Sequence, residues 1–338
     1  MAAIPTVEIG VPGNKVRVPR IGLGTMSMST VYGPVDDEES VKVLERAVEI
    51  GCTLWNSASL YGLGHNERLL SRVLKSSRDK VFLTTKFGVE FREPEDDPPK
   101  AFLNYITGHN GKRDFVRKSL DGALDRLGTD YIDMFIIGRI DRSTPLEETV
   151  GAMAELVKKG KIRYIGISEC TAEDLRLAYK VHPIAAVEVE YSMWTRDIET
   201  DGLLDACREL GVTVIAYSPL GHGFLTGRVH NTEELDKSDF RQNLVRFQTG
   251  KIETNLKFVN SLDSLAKKYN ATTGQLALAW LLEKEKNLVV IPGTKKINYL
   301  EENFGAGKVK LSDADLEELN KLVDGADIQG HRLWDGQE

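Results

Sequence analysis

The sequence predicts one domain, residues 1–338, folded as a (β/α)8 barrel (TIM barrel) with an N-terminal β-hairpin and two long loops at its C-terminal face. Strand-like and helix-like segments alternate, and most strand-like segments are continuous Val, Ile and Leu runs, typical of strands buried on both faces of a parallel sheet. Eight such units favour a barrel whose active site lies at the carboxyl ends of its strands. The predicted strands are residues 18–25, 53–58, 81–86, 132–137, 162–168, 185–191, 212–217 and 288–292.

Helix boundaries between these strands carry recognisable sequence signals. Thr144-Pro145-Leu146-Glu147 predicts a capping box with proline at the first helical position. Thr272 with Gln275 predicts a second capping box. Gly160, after two lysines, is typical of a helix end before the next strand.

A doubly wound sheet is the rival architecture. It requires a G-x-G-x-x-G turn after the first strand, and residues 22–27 lack the last glycine. Residues 7–18, with a turn at 12–14, predict an extra hairpin that covers the barrel floor. The long polar segments 88–112 and 220–256 follow the third and seventh strands, so we expect them to form walls of the pocket.

Composition narrows the possible partners and the compartment. The formal net charge of −7 argues against nonspecific nucleic-acid binding, which needs a basic face. No apolar run is long enough to span a bilayer, and the N-terminus does not resemble a secretory signal. The 3 cysteines lack a CxxC motif and predict buried, reduced thiols. We therefore expect a cytoplasmic protein that acts on a small molecule, with its oligomeric state open.

Motifs along nearly the whole chain resemble those of the aldo-keto reductases. Residues 181–192 are similar to the "VHPIAAVQVEYS" of a fungal and plant branch that resembles perakine and pyridoxal reductases. The resemblance implies NADPH-dependent reduction of carbonyl compounds. The other matching segments are residues 19–26, 61–62, 66–70, 127–133, 160–168, 216–221, 291–295 and 301–303.

The resemblance implies that Tyr61 and Lys86 form the proton-donor pair. A free tyrosine has a pKa near 10, and a neighbouring ammonium favours its phenolate. The alternative is that Tyr61 is an ordinary rim residue and Lys86 a surface charge. The positions of both residues at predicted strand ends, inside matching motifs, favour the functional interpretation.

Three positions depart from the family pattern. Asn56 replaces an Asp that pairs with the lysine, so we expect Lys86 to lose its charge more easily and to affect Tyr61 less. Gly138 replaces a substrate-binding His, which removes a polar group and leaves room, unless the glycine marks a barrel bulge. Glu188 replaces a Gln that holds the nicotinamide carboxamide, so it should favour the oxidised cofactor unless its side chain points elsewhere.

The remaining implied cofactor residues fit NADPH or NADP⁺. Lys295 matches the contact to the 2′-phosphate, and Tyr217 is placed to stack on nicotinamide. His222 stands where the family has an arginine, which puts one phosphate contact in doubt. No metal is implied. The complete set of implied cofactor residues is Thr25, Met26, Ser168, Glu169, Glu188, Tyr217, Ser218, Pro219, Leu220, Gly293, Lys295, Tyr299, Glu302 and Asn303.

Three functions remain open at this point. The favoured one is a reductase with an altered proton donor, acting on a carbonyl, enone or iminium group of a secondary metabolite, including bulky ones. The second is an epimerase, isomerase or cyclase without net redox change, and the third an NADPH-binding regulatory protein. Engineered substitutions at Asn56, Gly138 and Glu188 would also explain the departures.

Overall fold

The computed structural model describes residues 4–92 and 102–332. Its main sheet has eight parallel strands in the order β12-β11-β10-β9-β8-β5-β4-β3. Isolated parallel bridges, Ile21 to Val290 and Gly24 to Gly293, join the first and last strands and close the sheet. This confirms the predicted (β/α)8 barrel. The strands are β1 (Thr6–Val11), β2 (Asn14–Pro19), β3 (Leu23–Gly24), β4 (Leu54–Asn56), β5 (Phe82–Phe87), β6 (Val89–Phe91), β7 (Ile106–His109), β8 (Ile132–Ile137), β9 (Ile162–Ser168), β10 (Ala186–Glu190), β11 (Thr213–Tyr217) and β12 (Leu288–Val290).

Helices surround the barrel and bury one apolar face each. Leu44, Leu70 and Val150 illustrate this face, because each is completely buried. The helices are α1 (Asp37–Ile50), α2 (His65–Ser77), α3 (Arg113–Leu127), α4 (Leu146–Lys158), α5 (Ala172–Val181), α6 (Leu203–Leu210), α7 (Lys251–Ser261), α8 (Asp263–Lys268), α9 (Thr273–Lys284), α10 (Ile297–Gly305) and α11 (Asp313–Asp324). No helix in this part of the chain is long and apolar enough to cross a membrane.

One of the two predicted capping boxes is present. Thr272 and Gln275 cap α9 reciprocally, as predicted. The box predicted at Thr144 is wrong, because α4 begins after Pro145 and has no side-chain cap. The Thr144 hydroxyl instead donates to the Asp141 carboxylate at 2.6 Å. This bond lies before the start of the helix, so the hydroxyl does not cap it.

The N-terminal hairpin covers the barrel floor, as predicted. Strands β1 and β2 pair antiparallel, with Val7 opposite Val18. Ile9 and Val18 pack against interior side chains of the barrel that include Met134 and Tyr164. This apolar plug excludes water from the end of the barrel opposite the strand carboxyl ends.

The two long segments at the other end are more structured than predicted. Within 88–112, strands β6 and β7 pair as a hairpin, and residues 93–101 lie outside the described part. The segment 220–256 contains several short 3-10 turns and the start of α7. Phe224 and Phe247 are completely buried there, with ring centroids 5.4 Å apart. Aromatic packing therefore orders a segment that its polar composition indicated as a loop.

The cysteines behave as core residues. Cys52, Cys170 and Cys207 are free and buried, and burial raises the pKa of each thiol. Raised thiol pKa values disfavour the reactive thiolate. Among the described residues, no group of His, Cys, Asp and Glu is arranged to hold a metal ion.

Candidate active site

The barrel topology brings the predicted catalytic positions to one mouth. Asn56 ends β4, Lys86 lies near the end of β5, and Glu188 lies in β10. Gly138 follows β8 directly, and Tyr61 lies in the turn after β4. Because all these strands are parallel, their carboxyl ends share one rim.

Lys86 is the centre of a buried hydrogen-bond network. Its ammonium donates to Asn56 Oδ1 at 2.6 Å and forms an ion pair with Glu188 Oε1 at 2.8 Å. The third neighbour is Tyr61: the Lys86 ammonium lies 5.2 Å from the centre of its ring. Lys86 is 8% exposed, and Asn56 and Glu188 are each 2% exposed. The buried ammonium is therefore held by two side-chain oxygens and faces the Tyr61 ring.

The network holds Lys86 charged and Tyr61 protonated. Burial lowers the pKa of Lys86, but Glu188 and Tyr61 raise it more, so the pKa lies above its ordinary value. Burial raises the pKa of Tyr61, and the nearby Lys86 offsets only part of this effect. At neutral pH the site thus holds an ammonium beside a phenol.

Asn56 does not leave Lys86 without a carboxylate, which corrects the expectation from sequence. The Asn56 amide donates to Glu188 Oε2 at 2.7 Å and to Thr84 Oγ1 at 2.9 Å. Its other atom, Oδ1, accepts from Lys86. The negative charge missing at position 56 is thus supplied by Glu188 on the opposite side of the barrel. The expected easy loss of charge at Lys86 is wrong.

Gly138 does not open a space in the pocket wall, contrary to the expected room. A Cβ atom at Gly138 would lie 2.9 Å from the Phe87 carbonyl oxygen and 3.4 Å from Lys86 Cβ. The Gly138 amide donates to that same carbonyl at 2.7 Å. Glycine here allows close approach of two backbones, so the alternative of a local barrel irregularity fits the structure better.

Tyr61 belongs to an apolar cluster at the barrel mouth, here called the apolar rim. Its side chain packs in a cluster with Leu63, Phe91, Tyr105 and Phe240. Phe91 and Tyr105 come from the segment 88–112, and Phe240 comes from 220–256. Both long segments thus border the mouth, as expected of pocket walls.

A second charged cluster lies beside the first, at the ends of β9 and β11. Arg332 forms an ion pair with Glu169 Oε2 at 2.6 Å, and Tyr217 donates to Glu169 Oε1 at 2.9 Å. Burial raises the pKa of Glu169, but Arg332 and its other partners lower it more, so the net shift is downward. Arg332 also reaches the buried Glu190 at 3.4 Å. The sequence analysis missed both residues: Arg332 lies outside the matching motifs, and Glu190 lies within the matching segment 181–192 but was given no role.

The turn after β11 contains the residues that the resemblance predicts to cover the pyrophosphate, here called the predicted phosphate loop. Ser218 and His222 have φ values of 46° and 55°, unusual for non-glycine residues. Burial lowers the pKa of His222 to about 3, so this ring is neutral at physiological pH. Arg241, which the sequence analysis missed, donates to the His222 carbonyl at 3.1 Å and forms an ion pair with Asp239. Arg241 therefore places a cation beside this loop, whereas an arginine was expected within it.

Lys295 contacts the neighbouring loop after β3. Its ammonium donates to the carbonyl oxygens of Tyr32 at 3.0 Å and Pro34 at 2.6 Å. Burial lowers the pKa of Lys295. Two of its three donors are used, which leaves one for a phosphate. The Ser27 hydroxyl, which lies 3.6 Å from the position of a Cβ atom at Gly293, is buried and has no hydrogen-bond partner in residues 4–92 and 102–332.

The residues predicted to contact adenosine lie on α10, where Arg228 packs against two of them. Arg228 lies over the Tyr299 ring, 4.3 Å from its centroid, and pairs with Glu302 at 2.5 Å. Asn303 is buried on the same helix. Arg228 was also missed from sequence, since a lone arginine in an irregular segment carries no pattern.

The other predicted cofactor positions lie around the same mouth. The Thr25 hydroxyl donates to the Asn56 carbonyl oxygen at 2.8 Å, so it ties β3 to β4. Met26 begins a 3-10 turn after β3, and Ser168 ends β9 beside Glu188. Pro219 and Leu220 lie in the predicted phosphate loop, and Gly293 bridges to Gly24.

Known sequences agree with this architecture. A model of the Aldo/keto reductase family matches residues 20–324. The Schizosaccharomyces pombe protein named aldo-keto reductase yakc, NADP(+), is 42% identical and covers 99% of this chain and 96% of its own. Aldo-keto reductase str7 of Strobilurus tenacellus is 43% identical, covering 97% and 95%. A probable aldo-keto reductase of Glycine max is 38% identical, covering 99% and 93%.

Solved structures share the fold. A glycerol dehydrogenase from Gluconobacter oxydans superposes with a TM-score of 0.84 at 24% identity, over 96% of this chain and 97% of that one. A thermostable aldo-keto reductase bound to epalrestat has a TM-score of 0.72 at 33% identity, over 94% and 99%. A Klebsiella pneumoniae aldo/keto reductase bound to NADP and acetate has a TM-score of 0.71 at 27% identity, over 97% and 99%.

Proposed function

Since the chain belongs to the aldo/keto reductase family, we propose that it is an NADPH-dependent reductase whose proton donor is Tyr61, held against Lys86. The observation that carries this proposal is the buried network in which Lys86 contacts Tyr61, Asn56 and Glu188. The name of the Schizosaccharomyces pombe relative and the NADP in the Klebsiella pneumoniae structure support the choice of cofactor.

The network suits protonation of a carbonyl oxygen. NADPH, when bound, supplies a hydride to the carbonyl carbon. Tyr61 gives its phenol proton to the carbonyl oxygen, and Lys86 stabilises the phenolate that remains. The raised pKa of Tyr61 keeps its proton in place until the substrate is bound. Solvent then returns a proton to Tyr61.

The cofactor would be held by groups around the mouth. The free donor of Lys295 suits the 2′-phosphate of NADPH, and Arg241 supplies positive charge beside the loop at 218–223. The partly buried Tyr217 ring, fixed by its bond to Glu169, would support the nicotinamide. Ser168 would contact the carboxamide.

The apolar rim indicates the substrate class. Phe91, Tyr105 and Phe240 belong to the same apolar cluster as Tyr61, so the site suits a flat, apolar aldehyde, ketone or enone, or an iminium ion. A role in secondary metabolism fits such compounds. Gly138 gives no support for a bulky substrate, because the space beyond it is filled by backbone.

A substrate screen with NADPH tests the proposal. We expect an aromatic aldehyde such as 4-nitrobenzaldehyde to oxidise NADPH stoichiometrically, and Tyr61→Phe to lower kcat by about 10²–10⁴-fold with little change in NADPH affinity. Lys295→Met should weaken NADPH binding and leave NADH binding nearly unchanged. Product formed without NADPH consumption would instead support an isomerase, epimerase or cyclase. NADPH binding without turnover of any carbonyl, enone or imine would refute the reductase.

A further inference from the structure

Asn56 and Glu188 are the two side chains that hold the Lys86 ammonium. Each gives one oxygen to Lys86, and the Asn56 amide also donates to Glu188, so the three side chains form a closed ring of hydrogen bonds. We infer that Glu188 is the positioning residue that keeps Lys86 charged for Tyr61, and that Asn56 must be neutral for it to do so. This inference rests on the proposed function.

Glu188 has no substitute in this role. Among the described residues, no other carboxylate forms an ion pair with Lys86. The other titratable group facing Lys86 is Tyr61, and Arg139 acts on Tyr61 as a further positive charge. Without Glu188, burial would lower the pKa of Lys86 and the ammonium would lose its proton closer to neutral pH.

Neutrality at position 56 follows from the same geometry. Asn56 Nδ2 lies 2.7 Å from Glu188 Oε2. A carboxylate at 56 would place two acceptors at that distance, so the pair would retain a proton between them or repel each other. Restoring an aspartate at 56 alone should therefore harm the site.

Exchanging the amide and the carboxylate between positions 56 and 188 should restore the environment of Lys86. In the double variant that combines Asn56→Asp with Glu188→Gln, the introduced aspartate would accept from Lys86 and from the introduced glutamine amide, so the net charge and the number of contacts among the three side chains are unchanged. Thr84 now accepts from Asn56 and donates to the Trp55 carbonyl at 3.2 Å. Its hydroxyl can rotate to donate to an aspartate instead.

The test compares the native protein with Asn56→Asp, Glu188→Gln and the double variant. At neutral pH we expect each single variant to lose on the order of tenfold in kcat for 4-nitrobenzaldehyde with NADPH, and the double variant to recover most of the loss. Asn56→Asp leaves Tyr61 and every implied cofactor residue intact, so its NADPH affinity by fluorescence titration should equal that of the native protein.

Thermal unfolding across pH gives a readout that does not need turnover. In Asn56→Asp the added carboxyl holds its proton to higher pH when folded, so its melting temperature should fall relative to native as pH rises above about 4. In Glu188→Gln the lowered pKa of Lys86 penalises the charged form, so its deficit should shrink as pH rises towards about 10. The double variant should follow the native curve.

The outcomes separate the inference from the proposed function. A double variant no better than the poorer single variant, in both melting temperature and kcat, overturns the inference. If the melting temperatures of Asn56→Asp and Glu188→Gln change with pH in opposite directions relative to native, and none of the four proteins reduces a substrate, the inference is supported and the reductase is refuted. If Glu188→Gln fails to fold, the comparison moves to a Lys86→Met background, where Glu188→Gln should raise the melting temperature by removing a lone buried carboxylate. A lowered melting temperature there overturns the inference.

Discussion

Two charged clusters at the barrel mouth each pair a cation with a glutamate, but different parts of the chain hold them in place. In the Lys86 cluster, the charged residues Lys86 and Glu188 stand on barrel strands, and their side chains are 10% and 3% exposed. In the Arg332 cluster, the cation comes from the chain after the last helix, and the Arg332 side chain is 26% exposed. Strands fix the first cluster through the sheet ladder, whereas the second depends on how the C-terminal segment is held. Charge pairing alone therefore does not determine how rigid each cluster is.

The C-terminal segment is hydrogen bonded to residues in the region 246–255. Asn255 donates to the Gln329 carbonyl at 3.1 Å and accepts from the Gln329 amide at 2.8 Å. Arg246 donates to the Gly330 carbonyl at 3.0 Å. These bonds place Arg332 near Glu169 without any sheet pairing. We expect the second cluster to open before the first.

The largest effect is expected from removing the strand-borne cation. Lys86→Met leaves Glu188 buried without its ion pair. Breaking a buried pair from one side costs about 3–5 kcal/mol, so the melting temperature should drop strongly and aldehyde reduction should be nearly abolished. The matched control is Lys80→Met, an exposed lysine just before the start of the same strand. Equal melting temperatures for the two variants would contradict a rigid, energetically important Lys86 cluster.

A smaller effect is expected from the C-terminal cation. Arg332→Ala removes the cation that pairs with Glu169 and Glu190, but water can reach the two carboxylates in its place. We therefore expect the free energy of unfolding to fall by about 1–2 kcal/mol. The control is Arg17→Ala, whose pair with Glu8 is 69% and 56% exposed and should contribute less than about 1 kcal/mol.

The pH dependence of the Arg332 effect has a definite sign. The pKa of Glu169 is lowered in the folded protein. Its pairing therefore contributes stability above the unfolded carboxyl pKa of about 4.3, and this contribution is lost as pH falls through the folded value. The melting-temperature gap between native and Arg332→Ala should be full at neutral pH and shrink below about pH 5. A gap independent of pH would show that Arg332 acts through packing and not through Glu169.

The same contrast explains what the sequence could and could not predict. The barrel, the floor hairpin and the convergence of Tyr61 and Lys86 follow from periodicity and strand-end position. The Asn56–Glu188 hydrogen bond joins residues 132 positions apart, so each departure was interpreted alone and the shared charge was missed. Arg332 lies outside every motif, since its contact with Glu169 depends on the path of the chain after α11.

The smallest effect tests how closely the Lys86 cluster is packed. Gly138→Ala would place a methyl group 2.9 Å from the Phe87 carbonyl and 3.4 Å from Lys86 Cβ. We expect it to destabilise by about 1 kcal/mol and to lower kcat, because β5 must shift and carry Lys86 with it. Gly151→Ala is the control: it lies within α4, and apart from the local backbone of that helix the added Cβ meets no atom of the described residues within 4 Å. Alanine there should stabilise by about 0.5–1 kcal/mol. Thermal melts and aldehyde turnover of both variants decide the point. A Gly138→Ala protein as active and stable as the native one would mean that the strand-borne cluster tolerates displacement, and that the difference in rigidity between the two clusters is smaller than their supports imply.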